Sequence, residues 1–418
     1  MREDIKERIE ICSIGKVPDN YKKSNVGIIP EDWNEMDFYQ CATIQSGLID
    51  PKIQPYSYMR HIGPENIEKD TGRIVNVVRA KEQGLISGKF LFDENCIIYS
   101  KVRPNLNKVC MPNYEGICSA DCYVIHNKEN IIKEFLHCYM LSDFFKKQAV
   151  ACSMRTKMPK INQEELSTIT IIVPKPLEQK RIVEIIQAVD QKNKLNEKLL
   201  IEKQKQKKWI AQLLLTGRVR VPGFSKEWKK VRMSEIFKER KEYAVKDAGY
   251  EHVTLSKDGI FPKCERYDRE HLVTNVNKNY KVTRSGDICY NPANLKFGVI
   301  CKNRYGDAIF SPIYVTLETR SGYDSEFAAQ FVSRQDFINA VRKYEEGTVY
   351  ERMAVKAEDF MKYDAYVPQF DEQKAISSIL SKMDDEILLI EKKVELVRQE
   401  KRALMQLLLS GIVRVNEI

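Results

Sequence analysis

Two loop-like stretches of the sequence carry side chains suited to binding a nucleic acid. In YSKVRPNLNK, five polar or basic residues fall within eight positions, and Pro104 marks a loop that follows a strand. Lysine and arginine can clamp phosphates or read guanine, and asparagine can bond adenine through two hydrogen bonds. The candidates in this stretch are Lys101, Arg103, Asn105, Asn107 and Lys108.

Three further stretches add residues of the same chemistry. ACSMRTKMPKIN follows the first stretch, while YNPANLKFG and GTVYERMAVK stand at the matching places later in the chain. A solvated basic loop is the ordinary alternative for any one of these residues, but equivalent loops in two places favour a shared binding role. The candidates here are Arg155, Lys157, Lys160, Asn291, Asn294, Lys296, Arg352 and Lys356.

The sequence lacks the motifs of catalysis. It contains no GxGxxG, and GLISGKF is one residue short of a phosphate-binding loop and has Phe where Ser or Thr would bind magnesium. YNPAN faintly resembles the Asn-Pro-Pro-Tyr of amino-methyltransferases but lacks the second proline and the stacking aromatic. We therefore predict a chain that is not an enzyme and that binds no cofactor itself.

The cysteines do not indicate a metal site. None of the eleven forms a CxxC pair, and the chain has only five histidines. The closest pair, Cys118 and Cys122, is expected on one face of a strand. We interpret the cysteines as buried apolar residues in a reducing compartment.

The composition indicates a multidomain globular protein. A chain of 418 residues is too long for one ordinary core, and 43% hydrophobic with 30% charged residues suits a water-soluble fold. No apolar run approaches the length of a membrane span, and the start, MREDIKERIE, does not resemble a signal peptide. We expect a cytoplasmic protein that contacts no membrane. The net charge of +9 is compatible with an anionic partner.

An internal repeat organises the whole chain. Shifted by 194 positions, residues 173–221 align without a gap on residues 367–415, with 20 of 49 identities. VPKPLEQKRI meets VPQFDEQKAI, and QLLLTGRVRV meets QLLLSGIVRV. Weaker matches extend upstream, where helix-like EFLHCYMLSDFF aligns with EFAAQFVSRQDF. The chain thus alternates a globular domain and a long helix, twice.

Apolar residues at heptad spacing predict that the two helices pack on each other. Each helix is expected to begin near the Glu-Gln pair and to end at Gly217 or Gly411, which gives about 34 residues and a rod of roughly 50 Å. Asn193, Asn196, Lys203 and Lys207 interrupt the first seam, which disfavours other registers. The predicted interface residues are Ile182, Ile186, Val189, Leu200, Ile210, Leu214, Ile376, Leu380, Met383, Ile387, Ile390, Val394, Val397, Leu404 and Leu408.

Together these patterns predict an α+β fold. Two globular α/β domains would be separated by two long helices packed as an antiparallel coiled coil, in a tandem repeat with pseudo-two-fold symmetry. Two inverted domains about one helical turn apart, ~34–36 Å, would match the symmetry of duplex DNA and read a split target. A coiled coil that only recruits other proteins remains the alternative.

The whole chain resembles the specificity subunits of type I restriction–modification systems. The resemblance is carried by the paired EQK helix starts, the LLLTG and LLLSG endings, YKKSNVGIIPEDW, and VPGFSKEW. It implies the following division: an N-terminal segment at 1–23, target-recognition domain 1 at 24–172, a central helical repeat at 173–217, target-recognition domain 2 at 218–366, and a C-terminal helical repeat at 367–418.

The resemblance also implies partners. Each recognition domain would read one half of an asymmetric bipartite site in double-stranded DNA. The helices would set the spacing and dock two methylation subunits, which transfer a methyl group to adenine N6 from S-adenosylmethionine. Two restriction subunits, dependent on ATP and magnesium, would complete the complex. A subunit of a fused restriction–modification enzyme, an orphan used to switch specificity, a protein-only scaffold and an enzyme with an unrecognised site are the alternatives.

Overall fold

The structure, a computed structural model, describes residues 3–153, 159–245, 248–263, 279–344 and 354–415. Its α-helices are α1 (Glu3–Ser13), α2 (Phe38–Cys41), α3 (Ala80–Gln83), α4 (Lys133–Leu141), α5 (Asp143–Ser153), α6 (Gln163–Ser167), α7 (Pro176–Leu215), α8 (Met233–Ile236), α9 (Ser325–Val332), α10 (Gln335–Val341), α11 (Ala357–Lys362) and α12 (Phe370–Leu409). Short 3₁₀ helices lie at Tyr56–Tyr58, Pro64–Asn66, Pro104–Leu106, Pro292–Phe297 and Arg342–Tyr344. In the described residues, no helix is long and apolar enough to cross a membrane.

The chain divides into two compact units. Unit 1 comprises residues 1–197 and 392–418, and unit 2 comprises residues 198–391. Each long helix, α7 and α12, therefore contributes one part to each unit.

Unit 1 contains two four-stranded sheets. One has the strand order β4-β11-β8-β9, and the other has the order β6-β5-β10-β7 with β5 and β10 parallel. A separate pair, β3 with β12, leads into α7. The strands are β1 (Tyr21–Ser24), β2 (Gly27–Pro30), β3 (Asn34–Asp37), β4 (Ala42–Ile44), β5 (Arg60–Ile62), β6 (Val78–Arg79), β7 (Phe90–Phe92), β8 (Ile97–Ser100), β9 (Val109–Cys110), β10 (Gly116–Cys118), β11 (Cys122–Asn127) and β12 (Thr170–Val173).

Unit 2 repeats this topology. Its first sheet has the order β14-β22-β19-β20, and its second has the order β15-β18-β21-β16-β17 with β16 and β21 parallel. The pair β13 with β23 leads into α12. The strands are β13 (Lys229–Arg232), β14 (Phe237–Glu239), β15 (Tyr243–Ala244), β16 (Glu251–Ser256), β17 (Gly259–Pro262), β18 (Tyr280–Thr283), β19 (Ile288–Tyr290), β20 (Ile300–Lys302), β21 (Ala308–Phe310), β22 (Val315–Thr319) and β23 (Asp364–Val367).

The long helices run antiparallel within each unit. In unit 1 the carboxylate of Asp190 lies 2.6 Å from the ammonium of Lys401. In unit 2 the equivalent pair, Asp384 and Lys207, is also formed. Asp190 and Asp384 are 194 positions apart, as are Lys207 and Lys401, so the same ion pair occurs once in each unit. It also gives a partner to Lys401, the one polar interruption of the second seam.

The seam residues identified from heptad spacing are buried or half-buried. In unit 1, Ile182, Ile186, Leu404 and Leu408 enter the main core beside Trp33 and Tyr139. In unit 2, Ile210, Leu214, Ile376, Leu380 and Met383 enter a core with Phe237 and Phe360. The fully buried seam side chains are Ile182, Ile186, Leu214, Ile376, Leu380, Ile390, Val394, Val397 and Leu408. The half-buried ones are Val189, Leu200, Ile210, Met383, Ile387 and Leu404.

Both long helices are longer than the sequence predicts. Each spans 40 residues. The predicted length of about 34 was too short for its own bounds, since Glu178 to Thr216 is already 39 residues, and the starts lie only two residues earlier, at Pro176 and at the equivalent Phe370. Proline suits the first turn of a helix, where its missing N–H has no partner to lose. The stretch EFLHCYMLSDFF also differs from its prediction, since the helix breaks at Ser142 between α4 and α5.

The repeated Glu-Gln pair fixes the start of each long helix. The amide of Gln179 donates to the carbonyl of Pro174 at 2.9 Å and accepts from the N–H of Ile132 at 2.8 Å. Gln373 makes the equivalent bonds to Pro368 and Asp324. Both glutamines are fully buried. The motif therefore ties each helix start to the recognition fold of its own unit.

The glutamate of each pair binds the arginine that follows the other long helix. Arg414 donates to both carboxylate oxygens of Glu178 at 2.7 and 2.9 Å, and the indole N–H of Trp33 donates to the same carboxylate. In unit 2, Arg220 donates to both oxygens of Glu372 at 2.7 and 2.6 Å. The two repeated motifs, EQK and G-x-V-R-V, thus meet within each unit.

Gly411 and Gly217 end the long helices in the same left-handed conformation but in different surroundings. Both have φ of +69°, yet a methyl group added at Gly411 would lie 2.5 Å from Pro30, whereas one at Gly217 would lie 3.3 Å from Trp228. We expect Gly411→Ala to lower the free energy of unfolding by about 1–3 kcal/mol more than Gly217→Ala does. Urea unfolding of the two variants measures this difference, and equal losses would contradict it.

Candidate nucleic-acid interface

The loop between β8 and β9 lies against the segment that precedes α6. The N–H of Arg103 donates to the carbonyl of Pro159 at 2.8 Å, and the N–H of Ile161 donates to the carbonyl of Lys101 at 2.9 Å. Two stretches far apart in sequence therefore meet, and Lys101, Arg103 and Lys160 lie on one edge of unit 1.

Three cations at this edge outnumber the nearby acid. Arg103 is exposed and has a left-handed backbone with φ of 53°. Lys160 is exposed, with its ammonium 3.2 Å from Asp121. Lys101 is half-buried, and its ammonium lies 5.5 Å from the centre of the Tyr123 ring. The edge is basic and can bind phosphates.

Asn107 does not take the role predicted for it. Its side chain is only 1% exposed, and its amide donates to the carbonyl of Leu141 at 3.1 Å. Asn107 thus shapes the turn into β9 and cannot reach a base. The ammonium of Lys108 donates to the carbonyl of Pro64, while Asn105 is exposed and stays a predicted contact.

The equivalent loop of unit 2 follows β19 and begins with a capping asparagine. Asn291 is 8% exposed, and its carbonyl oxygen accepts from the N–H groups of Ala293 and Asn294 at 3.1 and 3.3 Å. Asn291 therefore holds the turn rather than contacting a base. The N–H of Val355 donates to the carbonyl of Pro292 at 3.3 Å, as in the matching contact of unit 1.

The same loop exposes an aromatic side chain that the sequence reasoning missed. Phe297 is 67% exposed, and the ammonium of Lys296 lies 5.1 Å from its ring centre. A phenyl group can contact a thymine methyl or pack against a base step. The signal was present in NLKFG, where a phenylalanine stands in an otherwise polar loop.

The remaining candidates are placed as follows. Asn294 is half-buried, and Lys356 is exposed where α11 begins, next to Val355. Arg155, Lys157 and Arg352 lie outside the described residues.

Most of the described cysteines are packed in the cores, where seven are buried and Cys152 and Cys301 are half-buried. Cys12 is half-buried and enters no core, and Cys264 lies outside the described residues. Cys118 ends β10 and Cys122 begins β11, so the two lie on different strands and not on one face of a single strand. A turn forms between them, where the N–H of Cys122 donates to the carbonyl of Ser119. Burial raises the pKa of the Cys96 thiol to about 12, which leaves it protonated and unreactive. The described residues include no group of three or more His, Cys, Asp or Glu that could hold a metal ion.

Comparisons with known proteins link part of this chain to type I restriction–modification systems. Residues 30–203 match the family described as type I restriction modification DNA specificity domain. The EcoDI specificity subunit of Escherichia coli, from a type I restriction enzyme, is 39% identical over 163 residues, which are 39% of this chain and 36% of that protein. Each of these two matches covers less than half of the chain, so at this level the similarity to type I specificity subunits concerns one part of it.

Two archaeal specificity subunits extend the likeness to more of the chain. The MjaVIII specificity subunit of Methanocaldococcus jannaschii is 27% identical over 49% of this chain and 51% of its own length. The putative MjaX specificity subunit of the same organism is 23% identical over 95% of this chain and 97% of its own length. The first two relatives are thus matched over about half of their lengths or less.

Solved structures share the fold of this chain. A chain from a structural study of complex assembly and conformational transition in the type I restriction–modification system superposes with a TM-score of 0.62 at 18% identity, covering 92% of this chain and 99% of that chain. A type I specificity subunit from M. genitalium gives a TM-score of 0.53 at 13% identity, covering 94% and 97%. At these identities the likeness concerns the fold alone.

Proposed function

We propose that this chain is the DNA-reading, non-catalytic specificity subunit of a type I restriction–modification complex. One observation carries the proposal: residues 30–203, which hold most of the recognition fold of unit 1, match a DNA specificity domain, and unit 2 repeats the two main sheets of unit 1 with one additional edge strand, β15. A chain with two such folds would contain two DNA-recognition domains. Each would recognise one half of a bipartite, asymmetric site in double-stranded DNA.

The long helices would set the gap between the two halves of the site. A helix of 40 residues is about 60 Å long, which exceeds the ~34–36 Å of one turn of duplex DNA. The buried seam and the repeated ion pairs would stabilise the two helices against each other, as a spacer requires. A change in helix length is then a change in the gap that the protein tolerates.

The outer faces of the helices would bind the methylation subunits. Leu195 is 57% exposed and the equivalent Leu389 is 65% exposed, so each copy of the repeat presents the same apolar side chain to solvent. Two equivalent faces suit two copies of one partner. The methylation subunits would supply S-adenosylmethionine, and two restriction subunits would supply the ATP- and magnesium-dependent steps. This chain would bind no cofactor and would act in the cytoplasm.

Selection from a random DNA pool tests the proposal. The full-length chain, purified with the methylation subunit of its host, is expected to select one split motif with an unread gap, and the same motif should carry N6-methyladenine in the host genome. A selection without a motif, together with binding that is insensitive to salt, would favour a scaffold that binds only protein.

The exposed Arg103 provides a test of the unit 1 edge. We expect Arg103→Ala to weaken binding to the selected duplex and to reduce the slope of log affinity against log salt by about 0.9, as loss of one phosphate contact requires. Titration at several salt concentrations measures both effects. Lys16→Ala is the control, since Lys16 is also exposed in unit 1 but lies far from this loop in sequence. An unchanged slope for Arg103→Ala would remove this residue from the interface.

A further inference from the structure

The turn between β5 and β6 reaches the long helices of unit 1 through one ion-pair group. The guanidinium of Arg73 lies 2.6 Å from one carboxylate oxygen of Glu197 on α7. The guanidinium of Arg398 on α12 donates to the other oxygen at 2.8 Å. We call Arg73, Glu197 and Arg398 the ionic clasp. It joins the recognition fold to both long helices at once.

The carboxylate of Glu197, at the centre of the ionic clasp, accepts bonds from several donors. The side chain of Glu197 is only 18% exposed, and the amide of Asn193 also donates to it at 3.2 Å. Burial alone would raise the pKa of Glu197, but hydrogen bonds from Arg398 and Arg73 hold that pKa below its ordinary value. The carboxylate is therefore charged at neutral pH, and three donors fix its position.

Unit 2 lacks this arrangement at the equivalent place. Glu391 corresponds to Glu197 and Gln204 to Arg398, so a neutral amide at 3.4 Å replaces a guanidinium. The equivalent turn carries Lys257 and Asp258, and neither side chain bonds to any described residue of the long helices. The acid is repeated, but both of its cationic partners are missing in the described part of unit 2.

The clefts beside the two turns differ in volume. In unit 1 the turn and the helices enclose a cleft of about 520 Å³, lined by Arg73, Glu197 and Lys401. In unit 2 the equivalent cleft is about 1010 Å³ and is lined by Lys207, which corresponds to Lys401. An ion pair thus bridges the recognition fold of unit 1 to its helices beside the smaller cleft. In the described part of unit 2 no such pair is present, and Arg334, which lines the larger cleft, donates to the carbonyl of Leu215 on α7.

We propose that Glu197 is a positioning residue, which fixes the first recognition domain on the long helices through Arg73, and that the second domain, as far as the structure describes it, lacks an ion pair of this kind at the equivalent place. The inference rests on the proposed function, because positioning matters here for a split DNA site. Discrimination between gap lengths then depends on Glu197 and not on Glu391.

The test compares gap discrimination in matched variants of the full-length chain with its methylation subunit. The DNA probes are the selected duplex and two duplexes whose gap is one base pair shorter or longer. Loss of a partly exposed ion pair should reduce the preference for the correct gap about five-fold in Glu197→Gln and in Arg73→Gln. The double variant should lose no more than either single variant, because both act on one contact. Glu391→Gln should keep the wild-type preference.

The outcomes separate the inference from the proposed function. Wild-type discrimination in both Glu197→Gln and Arg73→Gln, or an equal loss in Glu391→Gln, would overturn the inference alone. A wild-type chain that selects no split site would overturn the proposed function and the inference with it. Arg73 has a side chain that is 42% exposed, so Arg73→Gln keeps the test decisive if Glu197→Gln does not fold.

Discussion

Replacing Arg220 with alanine is expected to lower the free energy of unfolding of unit 2 by about 3–5 kcal/mol. The carboxylate of Glu372 is 1% exposed and accepts both of its hydrogen bonds from Arg220. Among the described residues, no other donor to this carboxylate is present. The variant therefore leaves a buried charge without compensation. Urea unfolding at neutral pH, followed by a probe in unit 2, measures the loss.

Two variants serve as comparisons for Arg220→Ala. Arg218→Ala removes the same charge from an exposed neighbour and should cost less than about 0.5 kcal/mol. Arg414→Ala, the equivalent change in unit 1, should cost less than Arg220→Ala because Glu178 keeps the hydrogen bond from the Trp33 indole at 2.9 Å. If all three variants unfold at the same urea concentration, the buried Arg220–Glu372 pair does not stabilise unit 2 more than the other two arginines stabilise the protein.

Replacing Asn193 and Asn196 together with isoleucine is expected to stabilise unit 1 by about 2 kcal/mol. Both residues are 7% exposed, and the Oδ1 of Asn193 and the Nδ2 of Asn196 have no hydrogen-bond partner. The second copy of the repeat holds isoleucine at the equivalent positions, Ile387 and Ile390. Isoleucine therefore fits the same seam and removes the two buried polar atoms that lack partners, at the cost of the 3.2 Å hydrogen bond from Asn193 to Glu197.

The control for this double variant is Lys194→Ile, which adds an apolar side chain at an exposed position of the same helix. It should change the unfolding free energy by less than about 0.5 kcal/mol. The double variant should also associate more readily in sedimentation experiments, because polar seam residues disfavour wrong partners. A destabilised double variant would show that the asparagines bind something in the native protein, such as ordered water.

The long helices could be predicted because the sequence patterns that specify them are local and occur twice. Heptad spacing marks the buried face, and Gly217 and Gly411 mark the ends, so the α+β fold with paired long helices follows from the sequence. The starts were placed too late, because the Glu-Gln pair was taken as the beginning. In the structure Gln179 and Gln373 lie inside the first turn, where they bond to backbone groups of the recognition folds.

The candidate DNA-binding residues were harder to predict, because residue type does not show where a side chain points. Asn107 and Asn291 have the chemistry to read adenine, but the amide of Asn107 bonds to the end of α4 and that of Asn291 holds its own loop. The pairing of the Lys101 and Lys160 segments was likewise invisible, since it depends on strand register. Arg73 of the ionic clasp lies outside the repeated segments, so it gave no signal in the sequence.

The composition of unit 1 has a consequence for the order of folding during synthesis. The ribosome makes residues 1–197 first, but the core of unit 1 also needs Leu404, Leu408 and Leu409, and the hydrogen bonds from Tyr21 and Arg8 to the carbonyls of Gly411 and Ile412. Unit 2 is a single continuous stretch, so all of its residues emerge earlier. Unit 1 is therefore begun first but completed last. Its apolar core residues stay exposed to solvent until residues 404–412 have been synthesised, and an exposed core favours aggregation.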